Sequence, residues 1–164
     1  MFRIRDYRDD DLTALHRINR LSTPGVSEET LTTLGRWFDI AQNSFVAVTD
    51  SEQPVGFVIL MRPGTTAYPS ANLRWFEANS EHLVYVDRIA VDATTRGSGL
   101  GEQLYRAAFE ASAAHYRFIG CEVNRKPPNP GSLRFHQRLG FEEVGTQVLE
   151  AGTKEVIYLQ RALP

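Results

Sequence analysis

The sequence predicts an α/β fold, with one domain over residues 1–164 and a mixed, mostly antiparallel sheet flanked by helices. Three observations predict it. Residues 87–123 read as strand, glycine-rich turn, long helix and strand, a crossover that makes the two strands parallel neighbours with a right-handed connection. Two more pairs of strand-like runs, within 43–61 and 141–161, are joined by short polar turns and therefore read as antiparallel hairpins. The bulk numbers agree: 164 residues, 42% hydrophobic and 23% charged, suit a single domain with one real core.

Each element has its own signal. Phe2–Tyr7 alternates apolar residues with Arg3 and Arg5 and reads as a short first strand. Asp9–Asp11 brings caps and negative charge to a helix with Leu12, Leu15, Ile18 and Leu21 on one face. His16 lies beside that face and reads as a boundary residue. After the Ser22–Gly25 break, Ser27-Glu28-Glu29 is expected to open a second helix that turns Leu31, Leu34, Phe38 and Ala41 inward. Asn43–Thr49 and Val55–Met61 form the first hairpin. Residues 62–80 carry Pro63, Gly64 and Pro69 and are expected as a long loop. There Trp75 and Phe76 either wall a substrate site or pin the loop to the sheet.

His82–Val91 reads as the central strand and Phe118–Val123 as its neighbour. Asn129 is a good helix cap with Pro130 in the first helical position, and Gly140 suits the residue just past the end. Phe141–Leu149 and Glu155–Arg161 close the chain as a strand pair whose edge offers a homodimer surface. Cys121, the one cysteine, allows no internal disulfide and is expected as a buried thiol.

Charge narrows the partners. A net charge of −2 argues against a nucleic-acid binder. The N-terminus is charged from its third residue, and no run approaches the ~20 apolar residues of a membrane span, so a cytoplasmic protein is expected.

The functional signal is concentrated in Arg96-Gly97-Ser98-Gly99-Leu100-Gly101. Glycines before a helix leave its first N–H groups unpaired with no Cβ atoms in the way, and the peptide dipoles add partial positive charge there. With Arg96 at the rim, this reads as a diphosphate site, the alternative being a plain tight turn before a core helix. No Gly-Lys-Ser/Thr follows, so it is not a P-loop. A dinucleotide fingerprint would follow its strand directly, whereas Asp92–Thr95 intervene; only Glu122, about 20 residues on, favours that alternative.

The same hexapeptide resembles the R/Q-x-x-G-x-G/A signature of the GCN5-related N-acetyltransferase (GNAT) superfamily. The segment Asn129-Pro130-Gly131-Ser132 through Gly140-Phe141 is similar to a second motif of that family. The resemblance implies a GNAT-like fold in which the parallel strands before and after the long helix splay apart. It implies acetyl-CoA as co-substrate and no metal. The diphosphate is expected on Arg96, Gly97, Ser98, Gly99, Leu100 and Gly101, and the pantetheine arm along Ile89, Ala90 and Val91. Asn129 and Ser132 are expected to bond the cofactor or to cap their helix. The implied activity is acetyl transfer to a primary amine of a small molecule or peptide in a ternary complex. The alternative is a non-catalytic acyl-CoA sensor.

Such a transfer needs a group that takes the amine's proton and an N–H donor for the thioester oxygen, which a free backbone amide near Ala90 would provide. Glu122 and Asp87 are strand carboxylates, costly to bury unless paired or used. Glu122 matches the place of a family glutamate that acts as base in some members. Asp87 is a second candidate base or the partner of Arg88 or Arg125. His136 stands where many members carry a tyrosine that protonates the leaving thiolate, and it is expected either to donate that proton or only to hydrogen-bond the cofactor's sulfur or a backbone carbonyl. Glu77 and Glu81 are acidic residues expected near the mouth.

Overall fold

A computed structural model describes residues 1–164. Seven strands form one sheet: β1 (Phe2–Asp6), β2 (Asn43–Thr49), β3 (Pro54–Met61), β4 (Leu83–Val91), β5 (Phe118–Lys126), β6 (Glu142–Leu149) and β7 (Lys154–Ala162). Five helices cover it: α1 (Leu12–Leu21), α2 (Leu31–Ile40), α3 (Ala71–Asn79), α4 (Leu100–Ser112) and α5 (Pro130–Arg138). The strand order is β1-β2-β3-β4-β5-β7-β6, antiparallel throughout except for β4 beside β5. One face is packed by Leu15, Ile18, Leu34, Phe38, Leu73 and Phe76 from α1–α3. The other is packed by Leu100, Leu104, Tyr105, Ala108 and Phe109 from α4, with α5 leaning on α4. The mixed sheet between helical layers is as the sequence predicts.

Four details differ from the sequence expectation. First, α2 begins at Leu31 with Thr30 as its cap, Oγ accepting from the Thr33 N–H at 3.1 Å. Residues 27–29 stay out of the helix because Arg88 draws on the Ser27 carbonyl, the Ser27 hydroxyl and Glu29. Leu31 consequently faces solvent, and Trp37 takes the inward place expected of it. Second, residues 71–79 of the expected loop are helical, capped by the Ser70 hydroxyl. Phe76 is buried, and Trp75 stacks on Tyr158 with centroids 4.1 Å apart.

Third, β4 begins one residue late: His82 turns the chain at a φ of 54°, and its carbonyl accepts from the Arg117 and Phe118 N–H groups. Fourth, β7 inserts between β5 and β6, so of the final strand pair only β6 lies at an edge of the sheet, with Val144 and Val148 exposed.

Two irregularities in β4 set the geometry at the centre of the sheet. Opposite β3 the register runs Ile59↔Arg88 and then Leu60↔Val86, so Asp87 is the extra residue of a bulge. Side-chain alternation therefore switches faces: Tyr85 and Ala90 belong to the α1–α3 side, Val86 and Ile89 to the α4 side. Opposite β5 only Leu83, Val84 and Tyr85 pair, and the strands then part. From Val86 to Val91, β4 has no strand on its β5 side.

Candidate active site

The parted strands open a groove of about 700 Å³ between β4 and the start of α4, closed on its far side by α5. Of the residues expected to hold the cofactor, Ile89, Ala90, Val91, Arg96, Gly97, Gly99, Leu100, Gly101 and Ser132 line it. Gly97 and Gly99 sit at φ of 83° and 81°, where an L-residue with a Cβ is strained, and open space lies over both. Gly99 caps α4, and the first intrahelical bond runs from the Gln103 N–H to the Gly99 carbonyl at 3.1 Å. The amides of Leu100, Gly101 and Glu102 thus have no partner in their own helix. At Gly101 a Cβ would meet the Phe135 ring at 3.0 Å, so glycine there lets α5 close against α4. Free amides, bare glycines and the exposed Arg96 together fit a diphosphate.

Two expected cofactor residues fall outside the groove. Ser98 donates its hydroxyl to the Thr95 carbonyl at 2.5 Å. Asn129 caps α5, accepting from the Ser132 N–H at 3.3 Å. The groove also uses Phe135, Arg138 and Leu139, which the motif comparison did not single out. Their signal was available: with Ser132 and His136 they recur at three- and four-residue steps along one face of α5.

A second, smaller cavity of about 120 Å³ lies across β4. It shares Ile89, Ser132 and His136 with the groove, and its other walls include Asp87, Glu122, Tyr68, Asn72 and Tyr85. The segment Pro24–Ser27 forms one lip, tied to β5 where the Asn124 side chain donates to the Pro24 carbonyl at 3.1 Å. Glu77 and Glu81 are not at this mouth. Glu77 pairs with Arg74 and accepts from the Gly64 N–H, whereas Glu81 lines a separate groove beside Trp75 and His82.

The three candidate catalytic residues differ in freedom. Glu122 accepts from the Tyr85 hydroxyl at 2.6 Å and the Asn72 amide at 3.0 Å. Burial pushes its pKa up to about 7; the Tyr85 hydrogen bond and Lys154 oppose the rise and the charge of Asp87 adds to it. Asp87 has both oxygens taken, one by the Arg88 Nε at 2.6 Å and one by the Tyr68 hydroxyl. Burial raises its pKa while Arg88 holds it down. The ion pair with Arg88 is the arrangement found; Arg125 pairs instead with Glu143 and Glu155.

Of the two expectations for His136, the hydrogen bond to a backbone carbonyl is the one found. Its Nδ1 lies 2.7 Å from the Ser132 carbonyl, which can only accept, so that nitrogen carries the proton. Its Nε2 then accepts from the Tyr105 hydroxyl at 2.7 Å. Burial lowers the imidazole's pKa and keeps it neutral, with no donor left for a ligand. Cys121 is buried with its thiol pKa pushed up, as befits a structural residue.

Arg88, expected only as a candidate partner of Asp87, does more than that. Besides Asp87, its guanidinium reaches Asn19 Oδ1 at 2.9 Å, the Ser27 carbonyl at 3.1 Å and Glu29 at 3.1 Å. It therefore fixes the lip of the small cavity to β4.

The parted strands thus carry a helix start with free amides on one side of β4 and a carboxylate-lined cavity on the other. The model of the acetyltransferase (GNAT) family matches residues 12–141, and the chain belongs to that family. Among curated proteins it is similar to peptidyl-lysine N-acetyltransferase YjaB of Salmonella typhimurium, 27% identical over 101 residues. That match covers 62% of this chain and only 51%, about half, of the relative. The fold is shared with Ard1 from Thermoplasma volcanium, with a TM-score of 0.80 and 17% identity over 99% of this chain and 98% of that one. Arabidopsis thaliana NAA60, solved with a bisubstrate analogue, has a TM-score of 0.78 and 19% identity over 99% and 98%. A phosphinothricin acetyltransferase from Sinorhizobium meliloti, solved with AcCoA, has a TM-score of 0.75 and 20% identity over 99% and 88%.

Proposed function

We propose that this chain transfers the acetyl group of acetyl-CoA to a primary amine of a small molecule or peptide, by direct attack in a ternary complex. One observation carries the reading: the groove with the free α4 amides and the cavity holding Glu122 share a wall at Ile89, Ser132 and His136. Two substrates seated on either side of β4 therefore meet at that wall. Bound acetyl-CoA supplies an activated thioester. Residues 97–101 hold its diphosphate on bare amides with Arg96, and the free side of β4 from Val86 to Val91 lies along the pantetheine arm. An N–H of that edge stabilises the charge that develops on the thioester oxygen.

Glu122 takes the proton of the incoming ammonium. A carboxyl ionising near pH 7 suits that task, since it is deprotonated at working pH and still basic enough to accept. Asp87 acts as a positioning residue that orients Arg88 and Tyr68. His136 positions the Tyr105 hydroxyl.

The test pairs calorimetric titration of coenzyme A with release of its thiol on addition of an amine panel. Gly99→Val puts a β-branched residue at a φ of 81° and a side chain into the space above the helix start. It is expected to weaken coenzyme A binding at least tenfold while circular dichroism shows a folded protein. Undiminished binding overturns the site, and binding by the native protein without thiol release from any amine favours the sensor.

A further inference from the structure

The small cavity contains four charged side chains, and three of them are accounted for. Asp87 and Arg88 neutralise one another at 2.6 Å, with Arg88 also satisfied by Asn19, Ser27 and Glu29. Glu122 is held by Tyr85 and Asn72. The fourth, Lys154, lies at the start of β7, half-buried in the cavity wall. Its ammonium makes no ion pair or hydrogen bond within the protein, although it is near enough for its charge to act on Glu122. The neighbouring cations are engaged elsewhere: Lys126 donates to the Gly152 carbonyl at 3.0 Å, and Arg125 holds Glu143 and Glu155.

Lys154 makes no ion pair with Glu122, whose two oxygens are held by the neutral donors Asn72 and Tyr85. An unpaired cation sharing a small cavity with a proton-accepting carboxylate selects for a ligand that is charged at both ends. The size agrees. About 120 Å³, closed at one lip by the Asn124 contact to Pro24, holds a molecule of a few heavy atoms. We propose that the acceptor is a small zwitterion, with its amine facing Glu122 and a carboxylate on the same molecule read by Lys154. This rests on the acetyl-transfer reading for the amine end only; the pairing of Lys154 with an anion stands on the cavity itself.

The experiment compares glycine, β-alanine and γ-aminobutyrate with their carboxamides, which keep the amine and remove the anion. Transfer is followed by thiol release at pH 8.5, above the ionisation of Glu122, and binding by calorimetry on protein saturated with coenzyme A. At least one of the acids is expected to exceed its amide tenfold or more in kcat/KM and in affinity, and Lys154→Met is expected to bring both ratios close to one. Lys154→Glu should invert the preference.

An amide used as well as its acid by the native protein, or a ratio unmoved in Lys154→Met, overturns the inference while leaving acetyl transfer standing. So does a lysyl peptide acetylated faster than every small acid. Selective binding of an acid without any transfer does the reverse: it removes the catalytic reading and retains the zwitterion site. Absence of both removes both.

Discussion

Replacing Glu122 with glutamine tests the proposed base by two routes that must agree. Burial moves its carboxyl from an ordinary 4.5 to about 7, a change of roughly 300-fold in proton affinity or about 3 kcal/mol. The sign follows from linkage. A carboxyl with a raised pKa in the folded state favours folding fully below pH 4.5, and that contribution is lost as the pH rises to 7. Glutamine has the same shape and can accept from Asn72 while donating to the Tyr85 oxygen, so its hydrogen bonds survive. Urea unfolding of both proteins from pH 4.5 to 8.5 should therefore show Glu122→Gln gaining up to about 3 kcal/mol on the native protein by pH 8, with most of the gain between pH 5 and 7. In the same range native kcat/KM should rise about tenfold per pH unit and level off near pH 7, while the variant lacks that limb and is slower at pH 8 by about 10²-fold or more. A stability difference that does not change with pH would refute the buried, proton-binding carboxyl. A variant with native turnover would refute its role as base.

Two other substitutions separate positioning from chemistry. His136→Phe strands the Tyr105 hydroxyl and the Ser132 carbonyl, so it should cost about 1–3 kcal/mol of stability and reduce turnover by less than tenfold with an unchanged pH profile; a loss of 10²-fold with coenzyme A affinity intact would restore the imidazole as proton donor. Arg88→Lys cannot serve Asp87, Asn19, Ser27 and Glu29 at once, so it should lower stability by about 3 kcal/mol or more and raise the acceptor KM at least tenfold with little change in coenzyme A affinity. Equal weakening of both substrates would mean that Arg88 supports the whole domain rather than the acceptor lip.

The groove at the start of α4 was far more legible in the sequence than the small cavity across β4, for a physical reason. A helix start that binds phosphate is made of consecutive residues with special backbone needs, and Arg96–Gly101 shows those needs in one unbroken run. Its partners on α5 share a helical period, so Phe135 and Leu139 were also within reach. The small cavity is assembled from seven separate places: Pro24–Ser27, Tyr68 and Asn72, β4, Tyr105, β5, Ser132 and His136, and Lys154. No local composition marks the set. Residues 27–29 even carry a helix-start pattern, overridden by a guanidinium some 60 positions away. The helix over 71–79 was hidden for a related reason: at 9 residues, its apolar stripe is too short to stand out.

Asp87 shows how one backbone irregularity joins these halves. Without the bulge, β4 would keep its alternation. Residue 88 would then fall on the α4 side, away from Asn19, Ser27 and Glu29, and Ile89 would leave the side it now shares with Val86. The extra residue turns Arg88 toward the α1–α2 lip and sends Ile89 and Val91 into the groove in the same step. The bulge falls just past Tyr85, the last residue of β4 that pairs with β5. Strand separation and face reversal are thus adjacent events: the first opens room for a ligand lying along the strand, and the second lines the two sides of that room with different chemistry. A carboxylate at the bulge is then tolerable only with a cation beside it. Asp87 and Arg88 are therefore best understood as one structural unit, which leaves Glu122 on β5, held by the neutral donors Tyr85 and Asn72, as the cavity carboxylate without an ion-pair partner.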